Sequence, residues 1–306
     1  MAHKSVLLNE ALQHLQPKAG EVYVDATFGA GGYSRAILQK ASCDVYAIDR
    51  DASAKKFSAV LGKEFPKNFH FLAGNFSEME SLLNRENINA VDGVVFDLGV
   101  SSMQFDEKER GFSFDSDAKL DMRMNQQNQL SAYEVVNNFE ESDLAKIIKD
   151  FGEEPKAKLI AKKIAEKRRS APISSCRELA DIVRSLYVGY SKTDPATRTF
   201  QAIRIFVNQE LEEISLGLVA AKNLLKVGGR LVVVSFHSLE DSIVKNFLKK
   251  EAGLDKPVSR YQAVLADSKS VNSFKIINKS AIKPSDEEVQ ENYRARSSKM
   301  RVAIKL

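Results

Sequence analysis

The chain has 306 residues, of which 43% are hydrophobic and 28% charged, and its net charge is +4. That length suits one large domain carrying a smaller one. Fifteen Gly and seven Pro exclude a collagen-like or low-complexity chain, no apolar run approaches the ~18–20 residues that cross a bilayer, and the mild basicity is compatible with a nucleic-acid partner without requiring one.

The opening, Met1-Ala2-His3-Lys4, is followed by Leu7-Leu8-Asn9-Glu10, which interrupts any signal-peptide apolar region. Cys43 and Cys176 stand far apart in no metal-ligand spacing, and the four histidines form no close pair. A reduced, cytoplasmic protein with no protein-held metal and no membrane association is expected. In chain order, Val22–Val24, Val45–Ile48, Phe69–Leu72 and Val94–Phe96 read as short buried strands. Helices at Ser34–Lys40 and Asp51–Leu61 alternate with them, the pattern of an α/β fold with a parallel sheet.

From about residue 105 to 199 no comparable strand occurs. Helical segments replace them at Ser131–Asn138, Glu141–Phe151, Pro155–Arg169 and Cys176–Tyr187, with Ser142 as an expected N-cap and Pro155 at a helix start. The α/β rhythm then resumes. A long amphipathic helix is expected over Thr199–Leu225, stopped by Gly228-Gly229. A strand at Leu231–Val234, a helix at Ser238–Lys250 and a polar, irregular stretch over 252–272 come next. Two closing strands, Phe274–Ile277 and Met300–Ile304, would form an antiparallel hairpin. The expected organisation is a core over 1–104, an inserted helical domain over 105–199, and the rest of the core over 200–306.

Two loops carry the chemistry. The first is Val24-Asp25-Ala26-Thr27-Phe28-Gly29-Ala30-Gly31-Gly32-Tyr33-Ser34, between the first strand and its helix. Glycines there allow a tight turn and a close ligand approach, and the helix start adds N–H donors. Asp49 ends the second strand eighteen positions after Gly31, where an acid can accept from both hydroxyls of a ribose. It could instead cap the helix from Ala52. A dinucleotide fold would favour a third glycine where Ser34 stands, and would not end in a hairpin. An acid before the glycines looks like the class I methyltransferases. The second loop is Phe96-Asp97-Leu98-Gly99-Val100-Ser101-Ser102-Met103-Gln104, at the carboxyl edge of the sheet, where ligands bind in open α/β folds. Asp97 stands where amino-group methyltransferases place an acid or amide, without the two prolines that usually follow. It could also be a turn residue capping Gly99.

Those residues, with Arg110–Phe114, Leu120–Met124, Pro195–Ala202, Ser235–Asp241, Val6–Glu10 and Arg294–Ser298, resemble the MraW-type bacterial methyltransferases nearly end to end, least across 252–285. The resemblance implies a Rossmann-like class I S-adenosylmethionine-dependent methyltransferase with an inserted all-helical domain. It implies S-adenosylmethionine as cofactor and, as substrate, the exocyclic N4 amine of one cytosine of 16S ribosomal RNA in the decoding region of the small ribosomal subunit. The family's cofactor contacts fall on Gly31, Gly32, Tyr33, Asp49, Phe76, Asp97 and Gln104. Tyr33 departs from a more frequent His, and Met103 from a frequent Pro. Phe76 could stack on the adenine. Asp97 and the carbonyl of Leu98 are the candidate acceptors near the amine, unless Asp97 serves the cofactor alone.

Lys156, Lys158, Lys162, Lys163, Lys167, Arg168 and Arg169 crowd one expected helix, whose other face holds Ile160 and Ile164. It is either a solvated face or a phosphate-contacting one, with Lys162, Lys163 and Arg168 as candidates. Arg294 and Arg296 are similar. His237 and Ser238 invite a hydrolase reading, but no nucleophile elbow surrounds Ser235, so a structural or substrate-loop role is expected for Ser235, His237 and Asp241. Asp121 and Arg123 are expected to pair. An idle RNA-binding module of the same fold, or an NAD-linked oxidoreductase, are the rival readings. Intact Asp49 and Asp97 disfavour the first; Ser34 and the hairpin disfavour the second.

Overall fold

The computed structural model describes residues 5–101, 103–104, 107–189, 193–254 and 272–306. Most of the stretch expected to be irregular, 252–272, lies outside them, as does Ser102. The described residues form two compact units. Met1–Gly99 with Leu211–Leu306 make the first, and Val100–Glu210 the second.

The first unit is built on a seven-stranded sheet of order β3-β2-β1-β4-β5-β7-β6. Its strands are β1 (Val22–Asp25), β2 (Asp44–Asp49), β3 (Phe69–Ala73), β4 (Val91–Asp97), β5 (Leu225–Ser235), β6 (Phe274–Ile276) and β7 (Lys299–Lys305). The first five pair in parallel, while β7 runs antiparallel to both β5 and β6. The expected closing hairpin is therefore present as paired strands. Successive residues of a strand face opposite sides. Val94 and Phe96 accordingly join one core with Ile48, Leu231 and Val233, whereas Val95 joins another with Val45, Val232 and Val234. Burial on both faces explains why these strands read as unbroken apolar runs.

Helices α1 (Leu8–Leu15), α2 (Gly32–Lys40), α3 (Ala54–Glu64) and α4 (Met79–Arg85) precede the helical unit. Helices α10 (Glu210–Leu224), α11 (Ser238–Glu251) and α12 (Asp286–Glu291) follow it. Strand β5 starts directly after α10, six residues before Leu231, and takes Gly228 and Gly229 into its irregular first half, where its register against β4 shifts.

The second unit contains α5 (Ala132–Asn138), α6 (Glu141–Gly152), α7 (Ala157–Arg168), α8 (Cys176–Arg184) and α9 (Ala196–Asn208) around Leu144, Ile148, Ile160, Ile164, Leu179, Val183 and Ile203. Ser131 and Ser175 close capping boxes with Glu134 and Glu178. Ser142 is not a cap: α6 starts a residue earlier, with Glu140 at its N-cap. The unit is wider than 105–199 because α9 carries Phe200, Ile203 and Val207 into its core. The single helix expected over 199–225 is two helices. Gln209 between them takes a left-handed φ of 51°. Before it, buried Asn208 donates to Met122 O at 2.7 Å and accepts from Met124 N at 2.7 Å, anchoring a loop at the helix end. Arg123 pairs with Asp121 at 2.7 Å, as expected.

Candidate active site

Parallel order reverses at β1, which pairs with β2 on one side and β4 on the other. Loops leaving neighbouring strands there diverge and open a crevice. The carboxyl ends of these three strands carry Asp25, Asp49 and Asp97.

Asp25 is buried and builds the turn. One carboxylate oxygen accepts from Ser34 N at 3.1 Å and Ser34 Oγ at 2.7 Å, capping the start of α2. Burial pushes its carboxyl up to about 6, against the pull of the Ser34 bonds. Gly31 has φ +81°, and a Cβ there would meet the Phe28 ring at 2.8 Å; a Cβ on Gly32 would meet Ser5 Oγ at 1.9 Å. Both positions require glycine, one for its backbone and the other for space. The Tyr33 ring points inward rather than to the turn's outer surface. It is buried, and its hydroxyl donates to Val6 O. What Tyr33 leaves at the turn is its backbone, in the first turn of α2.

Asp49 links the glycine turn to the turn after β2. Its Oδ2 accepts from Gly29 N at 2.7 Å and its Oδ1 from Asp51 N at 2.8 Å. Burial raises its carboxyl to about 6, opposed by those two bonds. Asp97 differs from both. Its backbone N donates to Thr27 Oγ1 at 2.6 Å, while its Oδ1 is buried with no hydrogen-bond partner among the described residues. Burial, then the charges of Asp25 and Glu240, raise its carboxyl well above the ordinary range. Thr27 was not singled out from sequence; the only signal was its place two residues after Asp25.

Phe76 is half-buried, its ring edge-on to Phe96 at 5.5 Å and close against Gly217 of α10. Gln104 belongs to the helical unit, where its side chain accepts from Ser101 N at 3.0 Å.

The basic residues divide. Lys162 and Lys163 are exposed on α7, opposite buried Ile160 and Ile164, and Lys163 has Glu166 at 3.6 Å. Arg168 does not share that surface role. Its guanidinium donates to Val136 O at 2.8 Å and Phe139 O at 2.5 Å, at the end of α5. Lys156 likewise donates to Leu186 O and lies over the Tyr187 ring. Arg294 and Arg296 are exposed on a short 3-10 helix, Tyr293–Ser297.

His237 is the N-cap of α11, its Nδ1 accepting from Glu240 N at 3.4 Å. Ser235 Oγ donates to Lys299 O at 3.3 Å. Partial burial works against the charge of Asp241, but Arg301 at 2.6 Å and Lys299 at 3.2 Å outweigh it and hold the carboxyl below its usual range. These three residues build the structure around β5.

Comparison with known proteins gives the family. The model of the MraW methylase family matches residues 1–306. A ribosomal RNA small subunit methyltransferase H of Rhodospirillum rubrum is 48% identical over 304 residues, covering 98% of this chain and 93% of the relative. That of Rickettsia conorii is 50% identical over 307 residues, with 99% and 97% covered. Among solved structures, an rRNA methylase of Streptococcus thermophilus aligns over 100% of this chain and 99% of its own with a TM-score of 0.43 and 11% identity, too distant a likeness to bear on function.

Proposed function

The chain belongs to the MraW methylase family, and from that premise we propose that it transfers a methyl group from S-adenosylmethionine to the exocyclic N4 amine of a cytosine in 16S ribosomal RNA, near the decoding centre of the small subunit. The observation that carries this reading is the set of carboxylates at the ends of β1, β2 and β4: one spent on the turn, one linking the turns after β1 and β2, and one with a buried oxygen that has no partner among the described residues.

The residues fit the cofactor. The glycine turn has no room for side chains at Gly31 and Gly32, and the first-turn N–H groups of α2 other than that of Ser34 suit a ligand carboxylate or hydroxyl. Asp49 would hold the ribose and Phe76 would flank the base. S-adenosylmethionine, when bound, supplies a methyl group made electrophilic by a cationic sulfur.

The rest is the work of this chain. The N4 lone pair is delocalised into the cytosine ring, so the amine is a weak nucleophile. Acceptors at Asp97 Oδ1 and Leu98 O would localise it and orient it in line. The nitrogen is cationic until it sheds a proton, and a carboxylate next to it stabilises that charge more in the transition state than before it. Burial that raises the proton affinity of Asp97 also makes the ionised form a stronger base. A neighbouring positive charge favours that ionised form. The cytosine must leave any stack, which costs a few kcal/mol. Lys162, Lys163, Arg294 and Arg296 would offset it by contacting phosphates.

Mass mapping of 16S ribosomal RNA from cells lacking this protein tests the reading. One cytosine should lose its N4 methyl and regain it with a restored copy; an unchanged map would refute the proposal.

A further inference from the structure

Two turns leave the carboxyl edge of the sheet side by side. The turn after β4 contains Asp97, Leu98 and Gly99, and is tied to β5 by Leu98 N donating to Val234 O at 2.9 Å. The turn after β5 contains Phe236 and His237. Glu240 sits between them in the first turn of α11, with 0% of its surface exposed. Its Oε2 accepts from Phe236 N at 2.7 Å and His237 N at 3.3 Å, and its Oε1 lies 3.1 Å from His237 Nε2. A Cβ on Gly99, whose φ is +92°, would stand 3.6 Å from that Oε1 and 3.6 Å from the Phe236 ring. So one buried carboxyl group fastens the β5 turn and lies within a methyl group's reach of the β4 turn.

We propose that Glu240 is a positioning residue for methyl transfer, holding the β5 turn against Gly99 so that the acceptor atoms of Asp97 and Leu98 keep a fixed place. A capping box explains the Oε2 bonds, since a Glu at the third helical position normally reaches back to the N-cap. It does not account for the place of Oε1, which lies 3.1 Å from His237 Nε2 on the side of Gly99. The second oxygen faces Gly99, one residue from the Asp97-Leu98 pair. Among the described residues, the charges of Asp25 from β1 and Glu240 from α11 act on Asp97, and that of Asp97 acts on Tyr33 from α2. Of these Asp25 is bonded to Ser34 and Tyr33 to Val6. Glu240 thus supplies a negative charge from the α11 side as well as the tie that holds the β5 turn.

The inference rests on the reading of Asp97 and Leu98 as acceptors, and the test separates the two. Three variants, Glu240→Gln, Glu240→Ala and Asp97→Asn, are compared in single-turnover methylation of small ribosomal subunits across pH 5–9, with cofactor affinity by calorimetry. Carbon-13 NMR of Asp-labelled protein without cofactor follows the Asp97 carboxyl directly. Glu240→Ala should slow the single turnover by about 10–100-fold with cofactor affinity within about twofold of the parent, as expected for lost alignment. Glu240→Gln keeps the shape and an acceptor oxygen, so it should recover most of that rate at high pH. Its lost charge should move both the acidic limb of the rate profile and the Asp97 NMR midpoint to lower pH. A folded Glu240→Ala at the parent rate, or a Glu240→Gln that shifts neither curve, overturns the inference. If instead Asp97→Asn reacts at the parent rate while Glu240→Ala is slow, the Asp97 assignment fails and positioning of Leu98 survives.

Discussion

Cofactor affinity should depend on pH through Asp49. Its two oxygens already accept from Gly29 N and Asp51 N, so the remaining lone pairs are those turned away from the loops. Two ribose hydroxyls can donate to them only when the carboxyl is ionised. Burial places its midpoint at about 6 rather than the ordinary 3.8. The ionised fraction is then about one half at pH 6 and about one tenth at pH 5. The sign follows: affinity is full above pH 7 and is lost as the pH falls through 6, by roughly tenfold per unit, or about 1.4 kcal/mol. Isothermal calorimetry with S-adenosylhomocysteine at pH 5, 6, 7 and 8, repeated in buffers of different ionisation heat, reads both affinity and protons released. Binding should release close to one proton at pH 5 and almost none at pH 8. Asp25 also has a midpoint of about 6, so Asp49→Asn serves as the control. It should be weaker at pH 8 by about 10–100-fold, for charge-assisted bonds worth ~1.5–3 kcal/mol, and flatter in pH. Affinity constant from pH 5 to 8 in the parent would refute the reasoning about both the burial of Asp49 and its ligand.

Asp97→Asn keeps the shape of the acceptor loop but removes its charge, so single-turnover methylation at saturating cofactor should fall by about 10²–10⁴; a parent-like rate would take Asp97 out of the chemistry. Replacing Lys162 and Lys163 together by Gln should flatten the salt dependence of RNA binding by roughly 0.7–0.9 in log–log slope per lost contact, and an unchanged slope would leave α7 a solvated face. Arg168→Gln should act on stability instead, because Val136 O and Phe139 O lose their charged donor; a urea midpoint equal to the parent's would contradict that. Gly31→Ala should lower the melting temperature by a few degrees, since a left-handed alanine costs ~1–2 kcal/mol even before the Phe28 ring is displaced.

Much of the fold was legible because central parallel strands are covered on both faces and so must be apolar throughout, as Val45–Ile48 and Val94–Phe96 are. Asp49 and Asp97 were legible for a related reason: a charged residue at the end of such a run has to sit at the sheet edge. What escaped depends on contacts distant in sequence. The break at Gln209 is invisible in an apolar stripe that continues on both sides, because it is imposed by Asn208 taking up the backbone at Met122 and Met124. Arg168 looks like its lysine neighbours until the end of α5 is placed beside it. Tyr33 carries no mark of direction; the Val6 carbonyl draws it inward. Glu240 read as part of a family motif, and only folding showed its second oxygen beside His237 and near Gly99.

Strand β4 pairs with β5 from Gly93–Arg230 to Asp97–Val234, yet β4 ends at Asp97 and β5 begins at Leu225. On a translating ribosome this spacing becomes a delay. At about 5–20 residues per second, the partner of β4 is made on the order of 6–26 seconds after β4 itself. Throughout that interval Val94, Val95 and Phe96 present an unpaired backbone edge, the kind that recruits other strands. The residues synthesised meanwhile include the whole helical unit, and helical folds form in microseconds to milliseconds. The helical unit can therefore be complete while the sheet is still half built. Newly made chains would pass through a state with a finished insertion and an open β4 edge. Aggregation during expression should then respond to changes along that edge far more than to changes within the helices.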